Sequence, residues 1–318
     1  MGDGPARARE DRMTRFRGSV WLFGALGAAA IVIAACGGTP APSTSTSKGT
    51  VTVAGFNFPE SSVLAQLYGQ ELAHNGYTIN YKVNLGTRKV VARALQSGQI
   101  DLYPGYAASE LEYFNNGAGE ATPDAAATTA KLNTYLAKIN AIALTPSAAF
   151  DGNAYAVTKA TATKYNLKTL SDLTPIASQL VFGAGPECPT YKFCLPGLKS
   201  VYGLTFKQTL TLDTDGPATR AAFKNGSIQV GLVFSSDSDL NSLGLVVLQD
   251  DKHMIAADNV VPVVRQAVAT AEVKTVLDKV DAGLTTADLV TMNGQVELLH
   301  QDPDAVAKAY LQQHNYFP

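Results

Sequence analysis

The stretch from residue 50 to residue 103, TVTVAGFNFPESSVLAQLYGQELAHNGYTINYKVNLGTRKVVARALQSGQIDLY, decides the fold. Three runs rich in β-branched residues predict strands: Val51–Ala54, Thr78–Leu85 and Ile100–Tyr103. Two segments with helix-like spacing or boundary signals lie between them: Ser61–Asn75 and Thr87–Gln96. Pro104 is expected to end the third strand, because proline cannot donate to a ladder. Alternating strands and helices indicate a parallel sheet with right-handed crossovers.

The same order recurs further along the chain. After a helical stretch at 123–138, the next predicted strands are Tyr155–Val157, Val181–Gly183, Phe206–Leu210 and Val230–Phe234. An extended segment and three helices are predicted at the end: Asn259–Val264, Ala271–Ala282, Thr285–Leu299 and Asp304–His314. We expect two α/β lobes, residues 50–153 plus 258–318 as lobe 1 and residues 154–257 as lobe 2. The chain then crosses between lobes twice, and a ligand is expected in the cleft between them.

The first 35 residues indicate an export signal. Arginines between Arg7 and Arg17 precede an uncharged apolar run, Val20–Ala35. This run is shorter than the roughly 20 residues that a spanning helix needs. It ends at Cys36 in a small-residue pattern that resembles the bacterial lipobox, which implies that Cys36 becomes a lipidated N-terminus outside the cytoplasmic membrane. An uncleaved anchor helix is the alternative.

The composition is that of an ordinary globular protein. The 318 residues are 46% hydrophobic and 16% charged, with a formal net charge of -2, so nucleic acid is not an expected partner. Three cysteines and four histidines show no paired spacing typical of zinc or iron–sulfur sites, so we predict no metal and no cofactor. Residues 36–49, rich in Gly, Thr, Ser and Pro, predict a flexible tether. The true start is Met1 or Met13.

A series of short motifs resembles the osmoprotectant (glycine betaine/choline) binding proteins of ABC transporters. The motifs are Phe58–Ser61, Asn84–Arg88, Ala94–Tyr106, Asn153–Ala156, Leu195–Leu198, Val201–Leu204, Val233–Asp237, Leu248–Lys252 and Asn259–Arg265. They follow the family's own order over nearly all of residues 50–318. The resemblance implies a type II periplasmic-binding fold whose lobes close over a small solute and deliver it to a membrane permease. We expect a monomer that is held at the membrane by its lipid alone.

Aromatic side chains are the first candidates for the ligand site. A quaternary ammonium cannot donate a hydrogen bond, so its recognition depends on aromatic faces. The aromatic candidates are Phe58, Tyr106, Tyr155, Tyr191 and Phe234, of which the resemblance assigns Tyr106 and Tyr155 to the cage. Ordinary core packing is the alternative for each of them. The resemblance also makes Ser109 a partner for a ligand hydroxyl or carboxylate, whereas Gly105 replaces a glutamate that is usual in the family.

Each charged candidate for the ligand site has an ordinary structural role as its alternative. Relatives that bind betaine often carry an arginine where Tyr191 stands, so Arg88 or Arg220 is the candidate for holding a ligand carboxylate. The alternatives are a solvated first-turn residue for Arg88 and a surface residue for Arg220. Asp215 and Asp237 are candidates for attracting a cation, and the alternatives are a turn and a helix cap.

Cys188 and Cys194 are predicted to form a disulfide, because an exported chain is in an oxidising compartment. A redox or metal pair is the alternative, disfavoured by spacing that differs from C-x-x-C. A serine or cysteine hydrolase would lack its base, since no histidine lies in a stretch that is predicted to face the cleft. The sequence therefore predicts a solute receptor, not an enzyme, with a lipid-anchored enzyme or an adhesive scaffold as the alternatives.

Overall fold

The computed structural model describes residues 47–213 and 215–317. The predicted signal segment, Cys36 and most of the predicted tether lie outside these residues. The strands are β1 (Thr50–Phe56), β2 (Thr78–Gly86), β3 (Leu102–Tyr106), β4 (Ala141–Ala143), β5 (Asn153–Thr158), β6 (Val181–Ala184), β7 (Gln208–Thr211), β8 (Val230–Phe234), β9 (Leu245–Leu248) and β10 (Val260–Arg265).

Helices follow most of the strands. They are α1 (Pro59–His74), α2 (Arg88–Gln96), α3 (Ala107–Phe114), α4 (Ala125–Leu136), α5 (Lys159–Tyr165), α6 (Leu195–Tyr202), α7 (Pro217–Lys224), α8 (Ala271–Gly283), α9 (Thr286–Glu297) and α10 (Pro303–Gln313). Helix α1 begins at a proline, which suits a first-turn position that needs no donor. In the part of the chain described here, none of the helices is both long and apolar enough to cross a bilayer.

Two five-stranded sheets share one topology. The first has the order β2-β1-β3-β10-β4 and the second the order β7-β6-β8-β5-β9. In each sheet four strands run in the same direction, and the fifth, β10 in the first sheet and β5 in the second, runs antiparallel to them. We call the half built on the first sheet lobe 1 and the half built on the second sheet lobe 2. The carboxyl ends of the parallel strands carry the loops that form the site.

The chain leaves lobe 1 after β4 and returns to it in β10. The two crossovers run side by side, joined by an antiparallel bridge between Phe150 and Asn259. The amide of Asp151 also donates to the carbonyl of Asp258 at 3.2 Å. Each lobe has its own apolar core, but Phe193 of lobe 2 is buried in the core cluster of lobe 1. The lobes are therefore linked by paired crossovers and by one inserted aromatic ring.

The expected stop at Pro104 is wrong, because β3 continues to Tyr106. Pro104 lies opposite Pro262 in the antiparallel pairing with β10. The two prolines, which both lack an amide hydrogen, therefore interrupt the hydrogen bonding between the strands at a single position. Helix α3 then follows without a loop, and the sequence analysis did not predict it. The expected strand Phe206–Leu210 is displaced, since β7 begins at Gln208.

Candidate functional site

A cavity of about 870 Å³ lies between the two lobes, and we call it the main chamber. Lobe 1, lobe 2 and both crossovers contribute to its wall. The lining residues that are used below are Phe58, Arg88, Tyr106, Ser109, Asp151, Tyr191, Lys192, Phe193, Phe234 and Asp258. Its volume lies in the range that is typical of small-molecule sites.

Lobe 1 supplies an aromatic wall at the ends of β1 and β3. Phe56 stacks on Phe58 with 5.7 Å between ring centroids, and Phe58 lies 6.1 Å from Tyr106. The Tyr106 hydroxyl donates to Oε1 of Glu60 at 2.6 Å. Burial and the neighbouring Glu60 hold the pKa of Tyr106 well above its usual value, so the ring stays neutral. Two adjacent rings are thus fixed by stacking and by a buried hydrogen bond.

Lobe 2 supplies aromatic rings that are more exposed. Phe234 ends β8 and is 39% exposed, while Tyr191 is 43% exposed. Tyr191 meets Phe193 edge to face at 5.7 Å. Tyr191 and Phe193 lie on a loop that is closed by a disulfide between Cys188 and Cys194. The loop therefore brings a lobe 2 ring to the chamber while its own Phe193 contacts the core of lobe 1.

Arg88 and Arg220 differ in how fully other side chains engage them. Nε of Arg88 donates to Glu110 at 2.8 Å, and its guanidinium lies 5.3 Å from the ring centroid of Phe56. Among the described residues, no side chain accepts a hydrogen bond from the Nη groups of Arg88. Arg220, by contrast, uses both Nη groups, on Asp239 at 2.7 Å and on Asp237 at 3.1 Å. Arg88 is thus better placed to receive an anionic group in the main chamber.

Glycine at position 105 is explained by the buried Glu110. A Cβ at Gly105 would lie 3.0 Å from Cγ of Glu110 and 2.8 Å from a methyl of Val263. Glu110 also accepts the Tyr103 hydroxyl at 2.9 Å. Glu110 therefore fills the space beside this glycine, where the resemblance had led us to expect a glutamate.

A second cavity of about 390 Å³, which we call the side chamber, adjoins the main chamber. Three residues line both cavities: Phe58, Asp151 and Phe234. The other polar residues of the side chamber are Glu60, Asp215, Arg220, Ser236, Asp237, Asn293 and Glu297. Burial raises the pKa of Asp215 to about 7. The side chamber is therefore dominated by carboxyl groups, and its one lining arginine is already paired.

Three acids lie at the junction between the lobes: Glu60, Asp151 and Asp258. Burial raises the pKa of each of these carboxyl groups. Asp258 accepts from the amide and the hydroxyl of Ser109, at 2.8 and 2.6 Å. The Ser109 hydroxyl, which the resemblance reserved for a ligand, thus donates to Asp258, although Ser109 still lines the main chamber.

The structure brings most of the predicted site residues together. The main chamber is lined by Phe58, Arg88, Tyr106, Ser109, Tyr191 and Phe234, and the side chamber by Asp215 and Asp237. Arg88 is not simply solvated, because it pairs with the buried Glu110. Asp237 caps no helix; its carboxylate accepts from the amide of Asp239. Asp215 does adopt the turn conformation, with φ 55°.

Tyr155 is the exception, since it lines neither chamber. It lies on β5, between β8 and β9, and is 1% exposed. Its hydroxyl donates to the carbonyl of Phe193 at 2.6 Å, and its ring lies 6.0 Å from that of Phe182. The cage position that the resemblance assigned to Tyr155 is therefore corrected to a core position behind the disulfide loop.

Sequence reasoning missed Asp151 and Asp258. Both are in crossovers, and both line the main chamber. The signal that was available is an aspartate one or two positions before an asparagine at each crossing, Asp151-Gly152-Asn153 and Asp258-Asn259. Within the described residues, no group of three or more histidine, cysteine, aspartate or glutamate side chains is arranged to hold a metal ion.

Comparison with known proteins agrees with this geometry. Residues 49–313 match the model of the OpuAC family, described as the substrate-binding domain of an ABC-type glycine betaine transport system. The chain belongs to this family. It is 28% identical over 278 residues to the glycine-betaine-binding protein of Pseudomonas aeruginosa, and the matched region covers 84% of this chain and 88% of that relative. It is 27% identical over 270 residues to the glycine betaine-binding protein YehZ of Escherichia coli, covering 81% and 88%.

A solved structure extends the likeness to three dimensions. Apo YehZ from Escherichia coli superposes with a TM-score of 0.73 at 26% identity, covering 84% of this chain and 99% of that one. Together with the family match, this confirms the resemblance and the type II periplasmic-binding fold. The protein is a substrate-binding protein of a glycine betaine/choline-type ABC transporter and not an enzyme. Such a domain serves an importer on its extracytoplasmic side.

Proposed function

We propose that the protein captures a quaternary-amine compatible solute, choline, glycine betaine or a relative, in the main chamber. The observation that carries the proposal is that aromatic rings from both lobes line one cavity beside uncompensated carboxyl groups. A trimethylammonium group offers no donor, so water exclusion and the negative faces of aromatic rings supply its binding energy. Phe58 and Tyr106 form one wall, and Tyr191 and Phe234 are the candidates for the other.

Arg88 is proposed to receive the carboxylate of a zwitterionic solute. Its Nε is fixed by Glu110 at 2.8 Å, which orients the planar guanidinium along the chamber wall. A guanidinium offers two parallel donors to a carboxylate, and the Nη groups of Arg88 have no side-chain acceptor among the described residues. Choline, which has a hydroxyl instead of a carboxylate, has less to gain from Arg88.

The proposal includes location and partners. The chain is expected at the extracytoplasmic face of the bacterial cell membrane, as a monomer held by a lipid on Cys36, from where it delivers its solute to the permease. The lipobox-like pattern before Cys36 and the tether-like composition of 36–49 support this. Incorporation of labelled fatty acid into the wild-type chain and its loss in Cys36→Ser is the expected result; a Cys36→Ser chain that is still labelled would contradict it.

A second candidate is a larger solute for the same importer. The side chamber adds about 390 Å³ beyond Phe58 and Phe234. Oδ1 of Asn293, which lines this chamber, is buried and has no hydrogen-bond partner among the described residues. A longer solute with a donor at its far end fits that space better than glycine betaine does.

The test is a calorimetric titration of residues Ser45–Pro318, which form one compact unit. The ligands are choline, glycine betaine and carnitine, with proline and an uncharged polyol as controls. Binding to the native state also raises the melting temperature, which gives an independent readout. We expect the quaternary amines to bind and the polyol to be silent. Silence from every quaternary amine would overturn the proposed solute class and leave only the importer role of the family.

A further inference from the structure

Two carboxyl groups meet where the lobes join, and we call them the junction pair. Glu60 is in the first turn of α1 in lobe 1, and Asp151 is in the outgoing crossover. Both side chains line the side chamber. Asn293 donates to Oε2 of Glu60 at 2.6 Å, and Ser236 donates to Oδ1 of Asp151 at 2.6 Å. Lobe 1, lobe 2, a crossover and α9 therefore all contact the junction pair.

The junction pair has no counter-charge of its own. Among the described residues, no ion pair includes Glu60 or Asp151. The arginines that line the chambers pair with other acids, Arg88 through Nε with Glu110 and Arg220 with Asp237 and Asp239. Two carboxyl groups that share one chamber without a counter-charge disfavour ionisation of both, so one of them keeps its proton in the ligand-free protein.

The surroundings of the junction pair reinforce this. The titratable and charged groups that line the two chambers around it are Arg88, Tyr106, Glu112 and Tyr113 from lobe 1, Asp258 from the returning crossover, Tyr191, Lys192, Asp215, Arg220 and Asp237 from lobe 2, and Glu297 from α9. The ammonium of Lys192 donates to the carbonyl of Gly119 at 3.4 Å and forms no ion pair with Glu60 or Asp151. The acids in this set disfavour a second negative charge on the pair. Burial raises the pKa of Asp151 well above its usual value, and the charge of Glu60 raises it further.

We propose that the junction pair holds one proton in the free protein and releases it to solvent when a cationic solute enters the main chamber. Asp151 lines that chamber, so a trimethylammonium group there supplies the missing positive charge without donating a hydrogen bond. The inference rests on the proposed function, because it requires a permanent cation as the solute.

The sign of the pH dependence follows from linkage. The solute-bound protein binds fewer protons than the free protein, so the affinity for a permanent cation rises with pH. The slope is at most about tenfold in affinity per pH unit for one proton released. It falls to zero once the pH exceeds the pKa of the pair in the free protein, because no proton is then left to release.

Calorimetric titration of Ser45–Pro318 with choline tests this. Choline is permanently charged and does not titrate near neutral pH, so any proton exchanged comes from the protein. Repeating the titration at one pH in two buffers of different ionisation enthalpy gives the number of protons released, and a series of pH values gives the slope. Asp151→Asn keeps an acceptor for Ser236 and removes the titrating carboxyl group. Asp281→Asn is the matched control, because it removes another buried carboxyl of raised pKa that lines neither chamber.

The wild type and Asp281→Asn are expected to release up to one proton per choline, and Asp151→Asn none. Choline binding without proton release in the wild type would overturn the inference and leave the proposed function standing. Release that persists in Asp151→Asn, or that disappears in Asp281→Asn, would also overturn it. If Asp151→Asn does not fold, the wild type and the Asp281→Asn control still decide between these results. If no quaternary amine binds the wild type, the proposed function fails and the inference fails with it.

Discussion

The two walls of the main chamber are built differently. On the lobe 1 side, Tyr106 is 3% exposed and is bonded to Glu60, and the exposed ring of Phe58 is stacked on the buried Phe56. On the lobe 2 side, Phe234 is 39% exposed at the end of a strand. Tyr191 is likewise exposed, on a loop that a disulfide closes. The lobe 1 wall is thus anchored in a core by Tyr106 and Phe56, whereas both lobe 2 rings are exposed.

This difference indicates that the two lobes contribute to solute binding in different ways. Rings held by buried contacts are pre-organised, so they lose little conformational freedom when a solute arrives. Exposed rings gain from being covered, since burying apolar area is favourable by about 25 cal/mol per Å². We infer that lobe 1 holds the solute first and that the lobe 2 rings complete the site. Substitutions in the two walls should therefore have different consequences for stability and for affinity.

The largest effect is expected from Tyr106→Ala. Removing a buried aromatic ring costs about 3–5 kcal/mol of stability, and Glu60 also loses a hydrogen-bond donor. Choline binding should become undetectable by calorimetry, and the melting temperature should fall. Tyr106→Phe is the control, because it keeps the ring and should retain measurable affinity. A Tyr106→Ala protein that melts and binds choline like the wild type would break the comparison between the walls.

Arg88→Lys tests whether the lobe 1 side binds the carboxylate of the solute. Lysine keeps the positive charge near Glu110 but loses the planar pair of donors. Glycine betaine affinity should fall about tenfold, which is about 1.4 kcal/mol, while choline affinity should change less than about twofold. Parallel titrations of both solutes measure this. Equal losses for the two solutes would mean that Arg88 does not contact the carboxylate.

Phe234→Ala probes the lobe 2 side. An exposed cation–π contact is worth about 1 kcal/mol, so choline affinity should fall about fivefold while the melting temperature stays within a degree or so of the wild type. Val247→Ala is the matched control, since Val247 is comparably exposed but lines neither chamber. A large drop in melting temperature for Phe234→Ala would show that the lobe 2 wall is structural as well.

The smallest effect on affinity is expected from Tyr155→Phe. The substitution removes one buried hydrogen bond to Phe193, worth about 1 kcal/mol of stability. Affinity for choline should remain within about twofold, because the ring is behind the wall. Calorimetry and a melting curve check both parts. A tenfold loss of affinity would return Tyr155 to the ligand site.

The local sequence pattern was enough to predict much of the secondary structure of lobe 1, but it did not predict the contacts between segments that are far apart in the chain. The strands and helices from β1 to α2 followed from hydrophobic spacing, and the aromatics at strand ends followed from topology. Pro104 was wrongly predicted to end β3. Its partner in the sheet is Pro262 of β10, which lies 158 positions later in the sequence. The bond between Ser109 and Asp258 spans 149 positions and has no local signal.

The position of Tyr155 shows the same limit. Which face of β5 meets the cleft depends on its place between β8 and β9, and that order is a property of the whole sheet. The junction pair was missed for a related reason. In the sequence, Glu60 is an acid in the first turn of a predicted helix, where a negative charge is favourable. Only the fold brings Asp151 into the same chamber.

The central claim is that a positive charge is recognised by aromatic rings and carboxyl groups between the lobes. Choline and its neutral carbon isostere, 3,3-dimethylbutan-1-ol, have nearly the same shape and differ in charge, so titrating Ser45–Pro318 with both is the most direct measurement. We expect choline to bind at least about tenfold more tightly, a difference of about 1.4 kcal/mol. Equal affinities for the two compounds would contradict the account, because shape and apolar contact alone would then explain the binding.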